Sequence, residues 1–133
     1  MTLGQFALAT LLSGLAASMT DWIFFGVLFH DKMLLYPEVW RTPGSGEGKK
    51  VAVSILLGFV TCGGFVLTCS AFQIHGYAPA LEFAAAIWVM APLVIVITNA
   101  LFIKLHPLTV VAHSLGWLVK LLLAAVAVGW FLP

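Results

Sequence analysis

The sequence predicts an all-α integral membrane protein, an antiparallel four-helix bundle forming one domain over residues 1–133. Three observations carry this prediction. First, 62% of the residues are hydrophobic, only 8% are charged, and mean hydropathy is +1.12. A soluble domain carries roughly a quarter charged residues, so this chain has too few to cover a water-facing surface. Second, the apolar residues gather into four runs, each near the roughly 20 residues that a helix needs to cross a bilayer. Third, the runs are continuous rather than alternating, which excludes a membrane barrel. Backbone groups in hydrocarbon must then be satisfied within each segment, as a helix does.

The first span runs from about Leu3 to Phe29. Its start holds no Lys or Arg, and the apolar run continues past Ala16, Ala17 and Ser18. A cleavable signal has a basic start and a short apolar core, so the segment reads as a retained span. A loop over 30–50 follows. Its first part, Met33 to Trp40, is apolar and aromatic and suits the membrane interface. Its second part, Thr42 to Gly48, reads as a flexible linker.

The second span covers Val51 to Phe72. Ser54, Gly58 and Cys62 recur every four residues, with Gly63 and Gly64 beside them. Such a face packs within the bundle or between protomers. Cys62 and Cys69 are separated by about 10 Å of helical rise, too far for a mutual disulfide. The third span, Ala80 to Ile103, opens after Pro79, with Glu82 expected in its first turn, where a carboxylate suits the helix dipole. Pro92 should kink it. The fourth span, Leu108 to Leu132, opens after Pro107. The short joins at 73–79 and 104–107 make sequential helices antiparallel neighbours. No internal repeat is visible, which gives no support to an inverted-repeat transporter within one chain.

Lys32, Arg41, Lys49, Lys50 and Lys104 all fall on one side of this layout. The positive-inside rule places that side in the cytoplasm and both termini outside. A net charge of +1 supplies no basic stripe for nucleic acid. No nucleophile elbow, phosphate loop or CxxC motif is present, so the sequence predicts neither catalysis nor a cofactor. His30, Asp31 and His106 share one level, but without ligand spacing they predict no metal site. The expected partners are the bilayer itself and either further copies of the chain or a larger membrane complex.

Ionisable groups inside spans are costly and usually face a partner or a path. Asp21 lies about 13 Å in from His30, and Asn99 about 8 Å in from Lys104. His106, His113 and Lys120 are spaced seven apart and return to one face with a small drift. Side chains lean toward the helix N-terminus, which brings Lys120 to the depth of Asp21. Thr109, Gly116 and Trp117 extend this polar stripe. Gly14, Ala17, Ser18 and Asp21 share a small-residue face on the first helix, predicted to meet the fourth. The candidate intramembrane site is therefore Asp21, His113 and Lys120, with Asn99 close by. It reads either as a polar site for a solute, a proton or a lipid headgroup, or as an ion pair that fixes helix register.

The first helix and its exit read Asp21-Trp22-Ile23-Phe24-Phe25-Gly26-Val27-Leu28-Phe29-His30, with Trp40 about ten residues on. The last helix contains His113-Ser114-Leu115-Gly116-Trp117 and ends near Gly129-Trp130. In these motifs the chain resembles a bacterial family of small four-span membrane proteins catalogued as a domain of unknown function. The resemblance implies the four-helix layout and a bacterial inner membrane, and it implies no activity. Small multidrug exporters also carry an acid in their first helix, but theirs is a glutamate within an aromatic motif that this chain lacks.

Overall fold

Each of the four apolar runs is one long helix in the computed structural model, which describes residues 1–31, 44 and 46–132. The helices are α1 (Leu3–Leu28), α2 (Glu47–Ala71), α3 (Tyr77–Phe102) and α4 (Pro107–Phe131), each long and apolar enough to cross a membrane. No strand occurs among the described residues. The membrane-interface reading of Met33 to Trp40 and the first part of the linker reading, together with Lys32 and Arg41, lie outside the described residues.

The helix starts follow local chemistry. Thr2 caps α1 in a reciprocal box: its hydroxyl accepts from the Gln5 N–H at 3.2 Å, and the Gln5 side chain accepts from the Thr2 N–H at 2.8 Å. α2 begins at Glu47, four residues before the predicted Val51, after Gly46 at φ 100°. Glu47 and Gly48, read as linker, and Lys49 and Lys50, read as the end of the loop, are thus helical, because a helix continues wherever backbone bonds can form, beyond its apolar stretch. α3 likewise begins early, at Tyr77 after Gly76 at φ 78°. Pro79 therefore sits within the first turn, and Glu82 lies beyond it instead of capping. α4 starts with Pro107 in the first helical position, where its missing N–H costs nothing. The His106 ring Nδ1 accepts from the Leu108 N–H at 3.2 Å.

Two helices change pitch. Trp22–Leu28 at the end of α1 and Val89–Leu93 in α3 are π-helical. The second contains Pro92, which removes a ladder donor and crowds the preceding turn, and a wider turn relieves that conflict. The kink expected at Pro92 thus appears as a local change of helix type.

α4 is the most buried of the four and packs against all the others, whereas α1 packs on α2 and α4. The core is made mainly of small residues, including Ala9, Ala17, Ala80, Ala84, Ala124 and Ala125, with Cys62 and Cys69 buried and free. Small side chains let helix backbones approach closely. The small-residue face of α1 is divided between two neighbours. A Cβ on Gly14 would strike the Phe59 ring of α2, and one on Gly58 would lie 3.9 Å from Ser18 Oγ. α1 also packs extensively along α4, and Asp21 is the residue of that face whose contact with α4 is an ion pair. On α2, Gly58, Cys62 and Gly63 are buried within the bundle, while Ser54 and Gly64 are exposed.

The two halves of α3 differ. Tyr77–Trp88 packs closely along α4, whereas Val94–Phe102 touches it sparsely and buries no residue. Trp88 Nε1 donates to the Ser114 carbonyl at 2.8 Å, which marks where the close packing ends.

Candidate functional site

Lys120 reaches across from α4 to α1, and its ammonium stands 2.8 Å from Asp21 Oδ2. The side chains are 13% and 22% exposed, respectively. The direction of the contact follows from helix geometry. Lys120 leans toward its own N-terminus, and that lean brings Nζ level with the last turn of regular α-helix in α1. The ammonium also lies over the Trp117 ring, 5.3 Å from its centroid, within cation–π range. One helical turn separates these two residues, so they share a face.

His113 joins the pair from the same face of α4, two turns before Lys120. Its ring lies 4.9 Å from that of Phe25, centroid to centroid, with the planes at 42°. Phe25 is one turn beyond Asp21, within the π-helical end of α1. Asp21, His113 and Lys120 are therefore brought together as their depth and spacing predict.

The group lines a cavity of about 210 Å³ rather than a closed contact. Asp21 and Phe25 form one wall, Ser54, Gly58 and Thr61 of α2 a second, and His113, Gly116, Trp117 and Lys120 a third. Gly116 helps to keep the space open. A Cβ there would sit 3.7 Å from Phe25 and 3.8 Å from Asp21 Oδ1, in ordinary van der Waals contact.

Asn99 does not join them. It is exposed on the sparsely packed half of α3 and does not line the cavity. Depth places a residue along a helix but not around it, and α3 meets α4 through its other half. His106, at the start of α4, does not line the cavity either. Among the described residues, no three His, Cys, Asp or Glu side chains converge as metal ligands would.

Sequence reading missed Phe25 and Thr61. Phe25 was hidden in a run of aromatics. Thr61 belongs to a seven-residue repeat of hydroxyls on α2, Ser54, Thr61 and Thr68, which marks one face of that helix. The Thr61 and Thr68 hydroxyls donate to their own helix, to the Leu57 carbonyl at 2.9 Å and the Gly64 carbonyl at 2.8 Å. Each hydroxyl oxygen keeps its capacity to accept a hydrogen bond.

A larger cavity of about 360 Å³ lies between α2 and α3 on the flank of α4. Its lining is apolar apart from hydroxyls, with Phe65, Ile87, Pro92, Ile95 and Leu121 among its walls. Thr61 and Trp117 line both this cavity and the polar one. No family model, curated protein or solved structure matches this chain.

Proposed function

We propose that the chain is a multi-pass membrane protein whose Asp21–His113–Lys120 group is an intramembrane binding site for a small solute, a proton or a lipid headgroup. The cavity carries this reading. An ion pair that served only to hold two helices in register would pack dry, whereas this one lines about 210 Å³ of space. The chemistry suits binding: an anion, a cation, an imidazole and two further aromatic rings face one space.

Insertion in a bilayer is supported by the outward faces of the helices. Leu11, Leu12, Leu15 and Met19 on α1, Leu56, Leu57 and Val60 on α2, and Met90, Val94 and Ile95 on α3 are all exposed. In water such a surface would aggregate, and in lipid it is the expected exterior. Antiparallel packing is supported by the order of contacts. Positions 10, 14 and 18 of α1 meet 63, 59 and 58 of α2, and 77 and 88 of α3 meet 129 and 114 of α4. In that arrangement Lys49, Lys50 and Lys104 share one end, and the positive-inside rule makes it the cytoplasmic one. A bacterial inner membrane follows from the resemblance in the Asp21–His30 and His113–Trp117 segments. No catalytic motif accompanies the site, and we read the protein as a non-enzymatic binder or carrier.

A second reading has its own observation. Asp21 and Lys120 bridge α1 and α4 at 2.8 Å, a contact that suits a pair fixing helix register. The protein would then be a structural or accessory subunit of a larger membrane complex. Proteoliposomes separate the readings. Proton- or solute-dependent flux that is lost in an Asp21→Asn/Lys120→Met variant supports the site. No flux, combined with stoichiometric co-purification in a larger complex, supports the accessory role.

A further inference from the structure

We infer that the ligand of this site is a membrane-soluble amphiphile whose head is a planar, uncharged, carbonyl-bearing ring of the quinone type and whose long apolar tail lies between α2 and α3. The inference rests on the binding-site reading above and names its ligand class.

The shape comes from two cavities that share a wall. Thr61 and Trp117 face both the polar space of about 210 Å³ and the apolar groove of about 360 Å³. Together they fall in the range of small-molecule sites, about 300–1,000 Å³. On α2 the polar cavity is lined from Ser54 to Thr61. The groove continues along the same helix to Thr68 and crosses to Ala91, Pro92 and Ile95 of α3. A molecule filling both is polar at one end and apolar at the other.

The charge of the head follows from the ion pair. Asp21 and Lys120 neutralise each other at 2.8 Å. An anionic head would have to displace Asp21, and a cationic one Lys120, leaving a carboxylate or an ammonium unpaired in an apolar setting. An uncharged acceptor needs neither change. The ammonium has three N–H donors, and with one directed at Asp21 it still has donors for a carbonyl oxygen. The head's flatness follows from the walls, where the rings of Phe25, His113 and Trp117 border the space.

The tail has a specific role. Lipid chains are as apolar as leucine, so the groove gains little hydrophobic energy over lipid. Seating a tail there instead holds the head beside Lys120 and raises its effective concentration.

The test uses the full chain in nanodiscs with two probes, a decyl-substituted benzoquinone and the same ring without the tail. Binding is read as the saturable, Trp117-dependent quenching of tryptophan fluorescence. Ala91→Phe fills the groove from the α3 wall without touching the polar cavity, and Thr68→Phe fills it from α2. Whichever variant keeps wild-type helicity and melting is used. The expected result is saturable binding of the tailed probe, weakened about tenfold or more by the filled groove, with the tail-less ring changed less than twofold. Equal binding of the tailed probe by wild type and the filled variant overturns the proposal, as does a tailed probe that never saturates. If that happens while flux still depends on Asp21 and Lys120, the binding-site reading stands and only the amphiphile falls. If flux is also indifferent to the pair, both fall.

Discussion

The two ends of the bundle are built differently. Where α3 begins and α4 ends, backbones press together. A Cβ on Gly129 would collide with the Tyr77 ring, and the Gly76 N–H donates to the Leu132 carbonyl at 2.7 Å. Ala80, Ala84, Ala124, Ala125 and Val128 fill the interior there. Toward the other end, α1 becomes π-helical and α3 pulls away from α4 beyond Pro92. There an ion pair lines a cavity. The chain is the same length of apolar helix at both ends, so hydrophobicity does not set the contrast. Residue size does where α3 meets α4: small residues bring the two backbones together at one end, and aromatic and charged side chains line the space at the other.

The sharpest way to break this comparison is to remove one charge. Asp21→Asn or Lys120→Met alone should cost about 3–5 kcal/mol, because the partner is left uncompensated. The double variant should recover most of that loss. Unfolding titrations in micelles would measure all three, and single variants as stable as wild type would mean that the pair does not exist. Next in size is a matched pair of substitutions. Gly129→Ala at the closed end should destabilise by about 1–3 kcal/mol through overpacking. Gly116→Ala at the open end should stay within about 0.5 kcal/mol, yet diminish binding by narrowing the cavity. Similar losses of stability at both positions would erase the distinction between the ends. Trp88→Phe removes the hydrogen bond at the boundary and should cost about 1 kcal/mol, seen as a modest fall in melting temperature.

The sequence makes the four helices and the Asp21–Lys120–His113 group legible for physical reasons. Charges in apolar runs are costly enough to need one another, and a seven-residue spacing keeps His113 and Lys120 on one face. What it hides is rotation and pitch. Asn99 lies at a suitable depth, but nothing in its neighbours says that α3 turns it outward. The helix starts at Glu47 and Tyr77 escape a reading based on hydropathy, which finds apolar stretches and not hydrogen-bonded ends. The π-helical segment at Pro92 has a compositional cause, whereas that at Trp22–Leu28 contains no proline to announce it. Thr61 is legible only once α2 is seen to turn its hydroxyl repeat toward α4.

The central claim is that the Asp21–Lys120 pair lines a working site and does more than fix register. The most direct test is native mass spectrometry of the full chain extracted in mild detergent, comparing wild type with Asp21→Asn/Lys120→Met at matched stability. The account predicts a small molecule or lipid retained by wild type and lost from the double variant. Equal retention by both proteins, or by neither, would contradict it.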